Sequence, residues 1–287
     1  MTPRAGVAVG AMPEMFRALS GAPVIDLGQP LEKGMPCSPS HPGFSMALIH
    51  RHGDGVDRIG GSGSNELIVT GGHVGTHIDA LCHVSRDGRL HGGIDPATAM
   101  ANSRYAVYGI DTVVPFLCRG VLADIPRMHG VDRLAPGYGI TPADLGAALT
   151  GIEVAPGDVV LVRTGWPQLY ADPVAYLGHG TGVPGLTEQA AELLAGLGVR
   201  AVGSDTIATD QIPAGGGEPL PAHYLLLVDH GIHIIEVLNL EELAGSGATE
   251  FLFIAIPLKI TGATGSPIRP LAVLPGTAES SLPTPLP

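Results

Sequence analysis

Three histidines and an aspartate, His73, His77, Asp79 and His83, fall within eleven residues, where 12 histidines spread evenly over 287 positions would put about half of one. Neutral imidazoles and a carboxylate are the donors of catalytic zinc and manganese sites, in which three protein ligands leave a position open for water. Such a metal lowers the pKa of bound water from about 15.7 to about 7 and polarises a carbonyl, so the set is suited to hydrolysis of an amide or ester. His73 and His77 stand at i and i+4 and would share a helical face, whereas Asp79 and His83 need the chain to turn, for which Gly75 is suited. We read His73, His77 and Asp79 as metal ligands. His83, four residues further on, either completes the metal shell or acts as general acid and base, and we take the second role. Ordinary polar or hydrogen-bonded histidines are the structural alternative.

Around this cluster, turn signals recur throughout a chain with 42 Gly and 26 Pro, and short β-branched runs lie between them. Residues 23–27, 66–70, 120–124, 158–163, 199–203 and 251–256 read as strands, and as buried ones. Helices are expected at 141–149, with Thr141 as N-cap and Pro142 at the first helical position, and at 187–197, ending on Gly198. A third is expected near 222–229. The mixture predicts an α/β fold, one domain over residues 1–287 with mixed sheets, and peripheral tails at 1–18 and 275–287.

Composition sets further bounds. With 45% hydrophobic and 15% charged residues the chain can build a core, and a net charge of −12 without a basic run argues against nucleic-acid binding. The longest strongly apolar run, 251–258, is too short to span a membrane. Cys37, Cys82 and Cys118 lack C-x-x-C spacing, so a disulfide framework is not indicated and a cytoplasmic protein acting on a small molecule is expected. Cys82 reads as structural. Arg163 and Trp166 close the 158–163 strand, where an arginine could hold a substrate carboxylate or carbonyl and the only tryptophan could form an aromatic wall; an arginine leaving the strand for solvent is the alternative. His230 and His233, in an apolar run, read as packing or surface residues.

The order His73-x-Gly75-Thr76-His77-x-Asp79 followed by His83 resembles the signature of the cyclase family of metal-dependent hydrolases, which includes bacterial kynurenine formamidases and isatin hydrolases. Asp26-Leu27, Gly34-Met35-Pro36, His41-Pro42, the 157–166 segment and Gly203-Ser204-Asp205-Thr206 extend the likeness over most of residues 20–260. The resemblance implies a swivelling β/β/α fold, a homodimer or larger homo-oligomer, and a divalent ion, Zn or Mn, held by His73, His77 and Asp79, with His83 as acid and base. It also implies that His223 and Glu236 hold a second ion or contact substrate. The chain departs from the family at Leu81, where proline is common, which leaves the loop before His83 less rigid. The expected activity is cleavage of a C–N or C–O bond in a small cyclic amide, formamide or lactone. The alternatives are metal-dependent cyclisation or dehydration of a polyketide-like intermediate, and a non-catalytic protein that a closed metal site merely braces.

Overall fold

The computed structural model describes residues 12–216 and 220–275, with only the backbone of residues 12–15. Of the two expected tails, residues 1–11 and 276–287 lie outside the described residues, and Met12–Leu19 forms helix α1.

Eleven strands organise the site: β1 (Val24–Asp26), β2 (Ser45–His50), β3 (Asn65–Val69), β4 (His77–Asp79), β5 (Phe116–Asp124), β6 (Val159–Arg163), β7 (Ala201–Ser204), β8 (His233–Glu236), β9 (Glu250–Ala255), β10 (Gly265–Pro267) and β11 (Leu271–Val273). Nine of them form one sheet in the order β1-β11-β9-β5-β6-β7-β8-β4-β10. Its centre, β5-β6-β7-β8, is parallel, and both flanks pair antiparallel. The sequence shows why the centre is covered on both faces. In β6, Val159 and Leu161 join one hydrophobic cluster while Val160 and Val162 join the other, as the alternation of a strand requires.

The expected helices form for local reasons. In α2 (Pro142–Ala148) the Thr141 hydroxyl accepts the Asp144 N–H at 3.2 Å and the Asp144 carboxylate accepts the Thr141 N–H at 2.8 Å, a reciprocal cap. In α3 (Glu188–Gly196) Thr187 caps the first turn, Ala190, Ala191 and Leu194 face the core, and Gly198 takes φ 73° just beyond the end. The third segment begins as the helical turn Pro221–His223 and widens to a π-helix over Tyr224–Asp229, with Leu225 to Val228 all buried.

One expectation needs correcting. The strand at 66–70 is not buried: β3 pairs only with β2, and both strands are exposed along their length, because among the described residues no other element covers the hairpin. No helix among the described residues is long and apolar enough to cross a membrane.

Candidate metal centre

The helical reading of His73 and His77 does not hold. The chain turns at residues 72–76, with Gly75 at φ 67°, and enters β4 at His77. That left-handed conformation is what calls for glycine at this position. Within β4, His77 and Asp79 stand two residues apart and share a face, while Ile78 between them is fully buried in the core. β4 pairs antiparallel with β8 in a register that sets His77 opposite Glu236. Thr76 locks this arrangement, its hydroxyl donating to the Val237 carbonyl at 2.6 Å and accepting the Gln29 N–H. Val237 itself, β-branched at φ 58°, holds a strained turn directly after Glu236.

Hydrogen bonds settle which ring nitrogens face inward. His77 Nδ1 lies 2.8 Å from the Gly75 carbonyl, which can only accept, so Nδ1 carries the proton and Nε2 presents a lone pair. That lone pair faces Asp79 Oδ1 at 3.6 Å and Glu236 Oε2 at 3.5 Å. On the other side His223 Nδ1 donates to Asp210 Oδ2 at 2.5 Å, which turns its Nε2 toward Asp79 Oδ2 at 3.7 Å and Glu236 Oε1 at 3.4 Å. Asp79 Oδ2 is buried and has no hydrogen-bond partner among the described residues. With both rings in the neutral form that metal ligation requires, four electron-pair donors face one another. Two donors bound to one zinc at about 2.1 Å and tetrahedral angles stand about 3.4 Å apart, so these separations suit a shared cation. The donor set, with its orphaned buried oxygen, fits a divalent ion.

The electrostatics make the same demand. Burial disfavours the cationic form of His223, yet Glu236 and Asp210 outweigh it and push its pKa up to about 10. His77 is raised too, its burial overcome by Glu236 and Asp79. Asp79 is held well below the usual carboxylate range because His83, His73 and His77 outweigh its burial. The pocket calls for positive charge.

His73 and His83 complete the other side of Asp79. His73 Nδ1 contacts Asp79 Oδ1 at 2.6 Å, and its Nε2 contacts Thr264 Oγ1 at 2.9 Å. The His83 ring stacks on His73 at 3.8 Å between centroids, and burial pushes its pKa down to about 4. His73, Asp79 and His83 form one group of donors able to converge on a cation, and His77, Asp79 and Glu236 form another. Both groups share Asp79. A cavity of about 250 Å3 opens over them, with His41 and Ser40 on one side and Val84, Ile207, Ala208 and Ile212 among its apolar walls.

Residues 25–211 match the sequence profile of a family described as "Putative cyclase". The chain belongs to that family. Among relatives of this cyclase-family protein, an isatin hydrolase of Roseibium aggregatum is 41% identical over 127 residues, covering 43% of this chain and 47% of that protein, so the match spans about half of that relative. A kynurenine formamidase of Bacillus cytotoxicus is 27% identical over 255 residues, 85% of this chain and 94% of that protein. In three dimensions the chain is similar to a crystal structure of a novel cyclase, with a TM-score of 0.81, 29% identity and coverage of 93% and 92% of the two chains. An isatin hydrolase bound to the product analogue thioisatinate matches with a TM-score of 0.71, 27% identity and coverage of 94% and 100%. The α/β fold and the enzymatic character expected from the sequence agree with these relatives.

Two candidates of the sequence stand elsewhere. Arg163 does not line the cavity; its guanidinium is bound to Glu241 at 2.8 and 3.0 Å and to Asp124 at 2.8 Å, which neutralises it at the end of β6. Trp166 is 1% exposed and donates from Nε1 to the Tyr176 carbonyl, so it packs inside the protein and forms no substrate wall. The cause is local: Asp205 accepts the N–H groups of Thr164 and Gly165, Gly165 takes φ 76°, and the chain folds Trp166 inward. Cys82 is buried, its thiol pushed up to about 11 by burial, in keeping with a structural role. His230 is exposed, and His233 spends Nδ1 on the Asp79 carbonyl.

Sequence reasoning missed Asp210, which accepts both the Ala222 and His223 N–H groups as well as the ring of His223. The signal was indirect, since an imidazole ligand needs a partner for its second nitrogen. It also missed His41, stacked at 5.3 Å on His73, although His41-Pro42 was part of the resemblance.

Proposed function

We propose that this cyclase-family protein is a metal-dependent hydrolase that opens a small, neutral cyclic amide or lactone, or cleaves a comparable formamide. The observation that carries the reading is the convergence of the His77 and His223 lone pairs with the Asp79 and Glu236 carboxylates beneath the cavity. In this reading Asp79 belongs to two positions for a divalent ion, one with His77 and Glu236 and with His223 beside them, the other with His73 on the side of His83, so that the set His73, His77 and Asp79 expected from the sequence is divided between them. Imidazole with carboxylate suits zinc and also admits manganese. When bound, the metal supplies activation of water and polarisation of the substrate carbonyl.

The chain's own residues do the rest. His83, neutral down to about pH 4, takes a proton from the attacking water and returns it to the departing nitrogen or oxygen. Asp210 holds His223 in its inward tautomer. Val84, Ile207, Ala208 and Ile212 limit the substrate to a small apolar body, and among the described residues no lysine or arginine lines the cavity. A substrate carboxylate would find no cationic side chain among the described lining residues and would compete with the scissile carbonyl for the metal, which favours a neutral lactam or lactone.

The single domain over residues 1–287 stays part of the proposal, carried by a sheet that joins residues 24 to 273. So does a homo-oligomer, because Met46, Leu48, Ile49, Leu67, Ile68 and Val69 expose a contiguous apolar hairpin that a second copy would cover. The test of the activity is a mass-detected screen of isatin, simple aryl lactones and aryl formamides. Gain of one water on a neutral cyclic substrate, lost on chelation, is the expected result; loss of one water from a polyketide-like substrate, with no hydrolysis of any of these, would replace the hydrolase with a cyclase.

A further inference from the structure

A second cavity opens at the amino-terminal ends of β7 and β8, at the opposite end of β8 from Glu236. It is open to solvent, holds about 840 Å3 and shares no lining residue with the cavity over the histidines. That volume lies within the range of about 300–1,000 Å3 typical of small-molecule sites. Leu81, Val107, Val113, Val114, Val199 and Ile232 form apolar walls. Among the described residues, the ionisable groups that line it are basic or neutral, Arg200, His230, His233 and Tyr108, with no carboxylate, in a chain of net charge −12.

Arg200 and His233 converge there. His233 opposes Ala201 in the register of β7 and β8, and its backbone N–H donates to the Arg200 carbonyl at 3.4 Å. Both side chains pack on Phe116, the guanidinium carbon 4.2 Å from the ring centroid and the imidazole centroid 6.3 Å from it. Arg200 Nη2 donates to the carbonyls of Val114 and Pro115, which fixes the guanidinium, while among the described residues Nε and Nη1 find no acceptor. His233 is fixed by its contact from Nδ1 to the Asp79 carbonyl at 2.9 Å, which leaves Nε2 without a partner among the described residues. His230, at the rim, is already matched by Glu192 at 3.6 Å. The arrangement is a held cation with spare donors at the end of an apolar chamber.

We propose that this cavity binds a small organic anion with an aromatic or branched aliphatic body, its carboxylate received by Arg200 and its body seated against Val113 and Val199. A charge-assisted hydrogen bond to a guanidinium already in place costs little ordering. The site is separate from the metal centre.

The test is fluorine NMR titration of 4-fluorobenzoate into the full chain, metal-replete and after chelation, with folding of each variant checked by circular dichroism. Val114→Trp fills the chamber from a position that is 63% exposed, so it tests the site without disturbing the core, and Arg200→Gln removes the cation. Binding that survives chelation and weakens at least about tenfold in each variant is the expected result. Binding that vanishes on chelation and ignores both variants would place the carboxylate on the metal centre and overturn the proposal, as would no binding at millimolar concentration. Equal binding of the uncharged 4-fluorobenzyl alcohol would overturn the role of Arg200.

Discussion

His77 and Glu236 oppose each other in the antiparallel register of β4 and β8, which brings His77 Nε2 to 3.5 Å from Glu236 Oε2. Strand pairing, rather than a local motif, therefore brings the second carboxylate to the histidine cluster. The consequences can be measured residue by residue.

His83 has its ring on His73 and faces the cavity, so its removal should take away proton transfer and leave the ion in place. His83→Ala is expected to lower kcat about 10²- to 10⁴-fold while metal content by mass spectrometry stays at the wild-type value. Loss of metal in step with activity would make His83 a ligand instead.

Asp210 acts through His223. Asp210→Asn keeps an acceptor for Nδ1 but removes the charge, and it should weaken metal binding about 10- to 100-fold in a chelator competition. Unchanged affinity would mean that His223 does not hold the ion.

Arg163 braces β5, β6 and the short helix Glu241–Ser246 rather than touching substrate. Arg163→Ala removes the cation shared by Asp124 and Glu241, leaving them only the Arg127 N–H and Gln168, and should cost about 2 kcal/mol in denaturant unfolding, with KM unchanged for the folded fraction. A raised KM at unaltered stability would restore Arg163 to the substrate site.

Met46 and Ile68 are cross-strand partners on the exposed hairpin, 55% and 53% accessible. The double variant Met46→Glu, Ile68→Glu should convert an oligomer to a monomer by light scattering, at a cost of about 1 kcal/mol to the hairpin because it sets two like charges opposite each other. An unchanged mass would move the interface elsewhere.

Much of the centre was legible because its parts are local. His77 and Asp79 sit two apart in a strand, and Gly75 turns the chain into it. Helices α2 and α3 were equally legible, since Thr141 and Thr187 cap them within a few residues. His223 and Glu236 came from resemblance, because only sheet pairing and the turn after Pro221 bring them to Asp79. Asp210 and Thr264 have no spacing relation to the ring each one contacts. Trp166 misled for a related reason: a tryptophan at a strand end suits a substrate wall, and only the grip of Asp205 on Thr164 and Gly165 turns it inward. The 66–70 strand has the apolar side chains of a buried strand but, among the described residues, nothing to bury them against.

Asp79 is the residue on which the account turns, since it is fully buried, belongs to both donor groups, and leaves Oδ2 without a hydrogen bond. The decisive measurement is the metal content of the purified protein and of Asp79→Ala after zinc or manganese loading and desalting, each checked for native fold. The account predicts stoichiometric metal in the wild type and its loss from a folded Asp79→Ala. A wild type that takes up neither metal, or an Asp79→Ala that retains the full complement, would contradict it.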